Sequence, residues 1–281
     1  MQLKFWGVRG SIPTPCTENM GYGGNTACLE IRLPSGEILI IDGGTGAHPL
    51  GESLMKGAAG QGLSLHLLLT HFHWDHVQGI PLFPPLYSVE NTVTFYSAKP
   101  PHMTREILEG QMSVPYFPID FRFLAARRNF VETNDRSFQF GGARIATFPL
   151  NHPQGCHGYR IEEGGSTLVF ASDLEHGVPE YDKILLEASQ DADVLVFDAQ
   201  FTPEEYERHR GWGHSTWLEA TRVARMAGAK RLVLFHHDPS HNDDALRDIL
   251  HDAQQEFPET TLATEGKVLQ LESSASHISD T

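Results

Sequence analysis

Positions 71 to 76 of the chain hold three histidines and an aspartate in the order HFHWDH, directly after the strand-like run SLHLLLT. In an extended backbone residues i and i+2 point to the same side, so His71 and His73 can reach one ion. Asp75 and His76 stand where the chain turns, and they can reach toward a second ion. Imidazole and carboxylate groups are typical ligands of zinc, and also of manganese and iron.

Three further donors follow other strand-like runs. His152 comes after ATFPLN, Asp173 after TLVFAS and His236 after RLVLF. Because an α/β sheet presents its functional groups at the carboxyl ends of its strands, these side chains are expected to meet the loop 71–76. The seven donors suffice for two ions with an open face. We expect one ion between His71, His73 and His152, a second between Asp75, His76 and His236, and Asp173 as a bridge.

The elements that must position these donors alternate between strands and helices. Strands are expected at LKFWG, CLEIRLPSGEILIID, SLHLLLT, VTFYS, ARIATFPL, HGYRIEEGGSTLVFASD, DVLVFDA, RLVLFHH and VLQLE. Two of these runs are predicted to be hairpins, with turns at 34–36 and 164–165. Helical periodicity occurs at 180–190, at 243–255 and in HSTWLEATRVARMAG, where a capping-box spacing predicts that the helix starts at Thr216.

Composition limits the classes of function. The 281 residues are 40% hydrophobic and carry a net charge of −15. An acidic surface repels phosphate backbones, so extended binding of DNA or tRNA is disfavoured. Three cysteines without paired spacing favour a reducing compartment. The start of the chain lacks the pattern of a signal peptide, and no stretch is apolar for 18 residues, so we expect a cytoplasmic protein without membrane association.

The domain organisation is expected to be simple, with one metal-binding domain over 1–273 and a flexible tail over 274–281. Residues 79–125 are dense in prolines and aromatics. This segment is interpreted either as a rigid, irregular surface layer or as a pocket wall or dimer contact. A homodimer is therefore a further expectation.

The motifs resemble those of the metallo-β-lactamase superfamily. The signature HxHxDH is complete at 71–76, and the later ligands follow in the family's order at His152, Asp173 and His236. The resemblance extends from about residue 2 to residue 271. It implies an α/β fold, a four-layer αβ/βα sandwich of two mixed sheets face to face with helices outside. It also implies two divalent metal ions, Zn²⁺ in the first place and Mn²⁺ or Fe²⁺ as alternatives.

Further motifs narrow the class within this family. GWGHST precedes VLFHHDP and resembles the motif that RNase Z, the tRNA 3′-processing endonuclease, and related phosphodiesterases carry before their last ligand, with His214 at the matching position. VRGSIPTP, GYGGNTACLEI and PYFP resemble a bacterial branch with phosphoribosyl cyclic and cyclic-nucleotide phosphodiesterases. Asp42 and Thr45 in DGGTG fit the family pattern. Substrate contacts are predicted at Asn25, Thr45 and His237.

The resemblance implies a dinuclear metal-dependent phosphodiesterase for a small, cyclic phosphodiester. Two ions about 3.5–4 Å apart share a hydroxide and lower its pKa toward neutrality, which supplies the nucleophile. His214 is predicted to stabilise the charge on the phosphorane or to protonate the leaving oxygen. Asp75 is predicted to act both as a ligand and in steering the proton.

Three alternatives stay open. A lactone or thioester hydrolase of the same fold would need an acyl pocket and no role for His214. RNase Z activity is disfavoured, because only twenty residues separate His152 from Asp173, where the bacterial enzymes carry the arm that grips tRNA. A di-iron redox or oxygen-sensing protein usually carries a flavin or rubredoxin domain, for which this chain has no room.

Overall fold

The structure is a computed structural model that describes residues 1–134 and 136–271. Two sheets account for all the strands of this part of the chain. The strands of the first sheet are β1 Gln2–Gly7, β2 Cys28–Arg32, β3 Ile38–Ile41, β4 Ser64–Leu68, β5 Thr92–Ser97, β6 Arg127–Glu132 and β14 Val268–Gln270. Those of the second are β7 Ser137–Phe140, β8 Ala143–Leu150, β9 Cys156–Glu163, β10 Ser166–Ala171, β11 Val194–Asp198, β12 Leu232–Phe235 and β13 Thr260–Leu262.

Both sheets are mixed. The first has the order β14-β1-β2-β3-β4-β5-β6, antiparallel up to β3 and parallel from β3 to β6. The second has the order β13-β12-β11-β10-β9-β8-β7, parallel from β13 to β10 and antiparallel beyond. Each sheet therefore contains a row of parallel strands, and the carboxyl ends of these strands lie at one edge of the sheet.

Seven α-helices lie in the described residues, at α1 Ala47–Ala58, α2 Trp74–Val77, α3 Pro101–Gln111, α4 Pro179–Ser189, α5 Pro203–His209, α6 Trp217–Ala227 and α7 Asp243–Glu256. Short 3₁₀ helices occupy Thr17–Asn19, Ile80–Leu82, Pro84–Tyr87 and Phe121–Phe123. Thr216 is the N-cap of α6, and its hydroxyl accepts a hydrogen bond from the Glu219 backbone N–H at 3.1 Å. The predicted start of this helix is confirmed.

Three apolar layers hold these elements together. The inner faces of the two sheets meet in one core, to which Phe5 and Ile31 contribute from the first sheet and Ile161 and Phe170 from the second. The outer face of the first sheet packs against α1 and α3, and that of the second packs against α4, α6 and α7. This is the expected four-layer αβ/βα sandwich, because each sheet buries one face against the other sheet and one against helices.

The segment 79–125 has more regular structure than its prolines and aromatics suggest. It contains β5, α3 and three of the 3₁₀ helices, so the expectation of an irregular layer is wrong for much of its length. Large apolar side chains of this segment remain exposed, among them Val89, Val114, Tyr116 and Phe123.

Several other expectations concern the chain as a whole. The three cysteines are free, in agreement with the absence of paired spacing. None of the described helices combines the length and the hydropathy that crossing a bilayer requires. The predicted tail over 274–281 lies outside the described residues, and the single domain over 1–273 stays a prediction.

Candidate dinuclear metal site

The first expected ligand group comes together at the carboxyl ends of β4 and β8. His71, His73 and His152 each offer a ring nitrogen, and these atoms lie within 4.8 Å of one another. Nε2 of His152 is 3.1 Å from Nδ1 of His73. The loop after β4 and the loop after β8 thus meet across the gap between the two sheets.

The second expected group lies beside the first. Asp75, His76, Asp173 and His236 also offer atoms within 4.8 Å of one another. Nε2 of His76 and Nε2 of His236 are 3.3 Å apart, and Nε2 of His236 is 3.1 Å from Oδ2 of Asp75. These residues follow β4, β10 and β12, so three strand ends supply one group.

Asp173 lies between the two groups. Its Oδ1 is 3.8 Å from Nε2 of His71, which belongs to the first group. The same oxygen is 3.3 Å from Nε2 of His236, and its Oδ2 is 3.2 Å from Nε2 of His76. The carboxylate is placed as a bridge between two ions requires.

The donor set fits a pair of divalent cations. Nε2 of His71 is buried and has no hydrogen-bond partner among the described residues, so its lone pair is available to bind a cation. The pairs His73–His152 and His76–His236 bring imidazole nitrogens face to face at 3.1 and 3.3 Å. Nitrogen and carboxylate donors in this arrangement suit zinc, and they also accept manganese or iron.

A hydrogen bond to the other ring nitrogen orients each of four histidines. Nδ1 of His76 donates to Oδ2 of Asp42 at 2.7 Å, and Asp42 is fully buried. Such outer partners fix the tautomer and direct Nε2 toward a metal. The same arrangement occurs at His71 with Thr70 Oγ1 (3.0 Å), at His152 with Gly213 O (2.8 Å) and at His236 with Gln200 Oε1 (2.9 Å).

Three of these strand-end residues have an unusual backbone. Asp42, Asp173 and His236 adopt positive φ values of 59°, 63° and 62°. The left-handed region is uncommon for residues other than glycine, although Asp and His enter it more readily than most. This conformation ends each strand sharply and turns its side chain into the gap between the sheets.

His214 stands beside the second group, and with Asp173, Asp198 and His236 it forms a third set of donor atoms within 4.8 Å of one another. That His214 lies outside the ligand set stays a prediction. Its Nδ1 donates to Oδ2 of Asp198 at 2.9 Å, and its ring stacks on that of His236 with 4.9 Å between centroids. Asp198 also accepts the backbone N–H groups of Asp173 and Ser215. Because its oxygens are occupied in this way, Asp198 is placed to orient His214.

The charges of the cluster balance one another. Burial raises the pKa of Asp75, but the neighbouring His76 and His236 outweigh it and hold that pKa well below its usual value. Burial lowers the pKa of His236, while Asp173 and Asp75 raise it to about 9. Burial also holds the pKa of His71 well below its ordinary value, so this imidazole is neutral and ready to bind a cation.

An open cavity of about 530 Å³ gives access to both groups. Its walls include Phe72, Trp74, Gln154 and His214. At its rim the backbone N–H of Ser11 donates to Oδ2 of Asp75 at 2.7 Å. A ligand that enters this cavity meets the donor groups and His214 together.

Comparison with known proteins agrees with this geometry. A family model described as the beta-lactamase superfamily domain matches residues 61–237, which is more than half of the chain. The chain belongs to the β-lactamase superfamily. The Ribonuclease Z of Haloarcula marismortui is 26% identical to this superfamily member over 97% of both chains. That of Thermoplasma acidophilum is 25% identical over 92% of this chain and 93% of its own length.

Solved structures share the fold of this β-lactamase superfamily member. The metallo-β-lactamase fold protein YhfI from Bacillus subtilis has a TM-score of 0.70 and 22% identity, with 95% of this chain and 98% of that chain covered. A diphosphatase from the PhnP family has a TM-score of 0.69 and 17% identity, with 96% and 98% covered. The short form of human tRNase Z has a TM-score of 0.64 and 20% identity, with 97% and 100% covered. These likenesses show the fold alone. The relatives named Ribonuclease Z and the donor set agree with a metal-dependent hydrolase.

Each of the three residues predicted to contact the substrate forms a hydrogen bond with another residue of the chain. The side chain of Asn25 donates to Glu265 at 3.0 Å, and the hydroxyl of Thr45 accepts the backbone N–H of Thr26 at 2.9 Å. Nε2 of His237 donates to the carbonyl oxygen of Ala263 at 2.9 Å, and burial lowers the pKa of His237 to about 3. The structure does not bring these side chains to the walls of the open cavity.

Sequence reasoning missed several residues of the site. Asp198 ends the strand-like run DVLVFDA and was open to the same argument as the other strand-end donors. Gln200 and Gly213 carried no comparable signal, because they act through a side-chain amide and a backbone carbonyl. No sequence signal pointed to Glu175 either. Its carboxylate accepts the N–H groups of Gly211 and Gly213 and so holds the loop before His214.

Proposed function

We propose that the chain is a dinuclear metal-dependent phosphodiesterase that hydrolyses a small, cyclic phosphodiester. The observation that carries the proposal is His214, a nearly buried histidine that lines the open cavity, touches the second donor group and is held by a buried carboxylate. A lactonase or thioesterase has no evident use for such a group. The relatives named Ribonuclease Z support phosphodiester chemistry, and the motifs GYGGNTACLEI and PYFP favour a small cyclic substrate.

The ligand sets follow from the two donor groups. We propose that one ion, Zn²⁺ in the first place and Mn²⁺ or Fe²⁺ as alternatives, is held by His71, His73 and His152. The other ion is held by Asp75, His76 and His236, and Asp173 joins both. When bound, such a pair activates water as a nucleophile and neutralises charge on the phosphoryl group.

The residues around the ions position the substrate and move the proton. Asp198 accepts the Nδ1–H of His214, which leaves Nε2 as the ring atom that can meet the substrate in the cavity. From there it either donates to a phosphoryl oxygen or protonates the leaving oxygen. Asp75, whose Oδ2 also accepts the N–H of Ser11, is proposed to guide the proton of the attacking water.

Substitution of His214 by alanine is the test. His214→Ala should keep its metals and its thermal stability, because none of the proposed ligand sets contains His214. Turnover of phosphodiesters should fall by about 10²-fold or more, mainly in kcat, since the interaction strengthens in the transition state. If the role is protonation, the loss should shrink for a good leaving group such as p-nitrophenolate.

His251→Ala, a change of an exposed histidine on α7, is the matched control and should leave turnover unchanged. Unchanged turnover of His214→Ala on every phosphodiester would contradict the proposal. In that case the lactone or thioester hydrolase becomes the better interpretation, and a lactone panel assayed beside bis-p-nitrophenyl phosphate would identify it.

A second candidate is tRNA 3′-processing, which the names of the relatives favour. Against it stand the net charge of −15 and the short connection between His152 and Asp173, which is filled by the β9–β10 hairpin. A turnover screen of the metal-loaded protein against 2′,3′- and 3′,5′-cyclic nucleotides, a cyclic phosphoribose and a small RNA separates the two. Metal analysis with an optical spectrum tests the di-iron alternative.

The homodimer and the cytoplasmic location also belong to the proposal. The segment 79–125 exposes Leu82, Val89, Val114, Tyr116 and Phe123, and an apolar surface of this kind suits a contact between two copies. A monomeric mass in light scattering at micromolar concentration would contradict the dimer.

A further inference from the structure

The motif VRGSIPTP begins at the end of β1, and the structure places its first residues between the two sheets. Arg9 forms parallel bridges on both sides, to Thr26 before β2 and to His237 after β12. The N–H of Gly10 donates to the carbonyl oxygen of His237 at 3.0 Å. Because His237 directly follows a proposed ligand of the second ion, the loop that carries this ligand is fastened to the end of β1.

The side chain of Arg9 adds a second connection. It is fully buried, and its Nε donates to the carbonyl oxygen of Gly23 at 2.8 Å. Its Nη1 donates to the carbonyl oxygens of Asp238 and His241 at 3.2 and 2.6 Å. Burial lowers the pKa of Arg9, whereas the carboxylate of Asp243 raises it, so opposite charge offsets part of the cost of burying the cation. The guanidinium thus links the loop before β2 to the loop after β12.

The motif GYGGN supplies one of these carbonyl groups. Gly23 has a φ of +115°, and a Cβ at this position would lie 2.3 Å from Cδ of Glu265. Glycine adopts this conformation without steric cost. The Glu265 carboxylate also accepts the backbone N–H of Asn25 at 2.6 Å, which holds the loop that presents the Gly23 carbonyl to Arg9. The two motifs therefore form one structural unit.

The backbone of Gly10 packs directly on a proposed ligand. A Cβ at Gly10 would lie 2.4 Å from Nδ1 of His236 and 2.9 Å from Oε1 of Gln200. Gln200 is the partner that orients the His236 ring. The backbone at Gly10 thus borders this ring and its orienting amide, and any added side chain would displace one of them.

Ser11 reaches the other side of the second donor group. Its backbone N–H donates to Oδ2 of Asp75 at 2.7 Å, and the same oxygen lies 3.1 Å from Nε2 of His236. Ser11 has a φ of +63°, which is uncommon for serine and persists only where the surroundings hold it. Three consecutive residues therefore act on the second donor group, and we call residues 9–11 the clamp.

The first donor group is oriented by other residues. Nδ1 of His71 meets the hydroxyl of Thr70, and Nδ1 of His152 meets the carbonyl oxygen of Gly213. Within residues 1–134 and 136–271, the hydrogen bonds of the clamp reach the second donor group and the loop after β12, and none reaches the first donor group. A change in the clamp should therefore affect the two ions differently.

We propose that the clamp positions the ligands of the second ion, with Arg9 as a positioning residue that acts through His236. This inference rests on the ligand sets of the proposed function, but it does not depend on the reaction. It assigns a role to VRGSIPTP and GYGGN, which set the affinity of one ion and leave that of the other unchanged.

Arg9→Gln tests the clamp, because it removes the charge and both bonds of Nη1. Competition with a chelator, followed by metal analysis, should show that the affinity for one ion falls by about 10- to 100-fold, the scale of losing an outer partner of a ligand. The affinity for the other ion should stay unchanged. Arg128→Gln is the matched control, since Nη1 of Arg128 also donates to two backbone carbonyls, at the edge of the first sheet, and it should retain both affinities. Equal loss of both ions in Arg9→Gln, or loss of neither, overturns the inference.

Two ligand variants identify the ion that is weakened. His152→Ala removes a ligand of the first ion, and His236→Ala removes a ligand of the second. Arg9→Gln should weaken the ion that remains in His152→Ala. It should not weaken the ion that remains in His236→Ala, because the ion that the clamp serves is already lost there. The reverse pattern overturns the inference.

If Arg9→Gln does not fold, Gly10→Ala perturbs the clamp without removing a buried charge. The added methyl group displaces His236 or Gln200 and should weaken the second ion alone, whereas Gly57→Ala, where a Cβ meets no atom within 4 Å, should change neither ion. Equal weakening of both ions by Gly10→Ala, or none, overturns the inference. These titrations need no substrate. If the second ion alone is weakened while the wild type turns over no phosphodiester, the clamp stands and the proposed function fails.

Discussion

The substitution Asp42→Asn tests how the structure orients one proposed ligand. The buried carboxylate accepts the Nδ1–H of His76 through Oδ2, and it accepts the backbone N–H of Thr70 through Oδ1 at 2.9 Å. Asparagine has the same shape and keeps one oxygen for Thr70. It then presents an amide N–H to Nδ1 of His76, so the histidine must carry its proton on Nε2. Nε2 is the atom that faces His236 and Asp173 and would bind the ion.

The size of the effect follows from these contacts. Loss of an outer partner of a ligating histidine typically weakens metal binding by about 10- to 100-fold. At about 1.4 kcal/mol for each tenfold step, this corresponds to roughly 1.4–2.8 kcal/mol. The fold should persist, because the isosteric amide retains the bond to Thr70 and adds no buried charge. We therefore expect weakened metal binding in a protein whose structure is intact.

Competition with a chelator, followed by metal analysis, measures the affinity of both variants. Glu30→Gln is the matched control, since Glu30 is also a buried carboxylate but accepts Nε1–H of Trp6 at 2.8 Å in β2, away from the donor groups. It should retain wild-type affinity. Unchanged affinity in a folded Asp42→Asn protein would refute the argument from the tautomer.

Three further outcomes are expected. Asp173→Ala should lose more metal than any other single ligand change, because the Asp173 carboxylate faces both donor groups and its removal leaves two dications that repel each other. If plasma spectrometry finds two ions per chain in this variant, Asp173 is not the bridge. Glu175→Gln should lower turnover by about tenfold, because Glu175 holds Gly213 and the Gly213 carbonyl orients His152; unchanged kinetics would exclude this role. Metal uptake at neutral pH should release protons, because His236 has a pKa of about 9 and must lose its proton to bind a metal ion. Metal affinity should therefore rise as the pH approaches 9. Calorimetry in two buffers of different ionisation heat would detect the proton release, and its absence would contradict the assignment of His236 as a ligand.

The donor groups were predictable because each donor directly follows a buried strand. The apolar runs before His71, His152, Asp173 and His236 fix the strands, and parallel strands bring their carboxyl ends to one edge. The same reasoning applies to the position of Asp198 at the end of β11 but does not reveal its role, which depends on His214, sixteen positions further along the chain. Contacts of that kind are set by tertiary packing and leave no periodic signal.

The elements that were missed lack strong local patterns. The sequence of α1, AHPLGESLMKGA, includes a proline and two glycines, and the helix is held by packing of Leu50 and Leu54 on the first sheet. Strand β6, RRNFVE, is polar and alternates exposed with half-buried residues at the edge of its sheet. Tertiary contacts decide the structure of both segments.

The left-handed backbone at Asp42, Asp173 and His236 has a consequence for protein engineering. A sequence chosen for stability alone would place glycine or asparagine at such positions, because these residues adopt positive φ at the lowest cost. Any redesign for heat resistance must therefore keep these three residues fixed, although their backbone invites replacement. Gains are available instead at Gly57 and Gly110, helical positions where an added methyl group meets no atom within 4 Å and where alanine should add about 0.5–1 kcal/mol each.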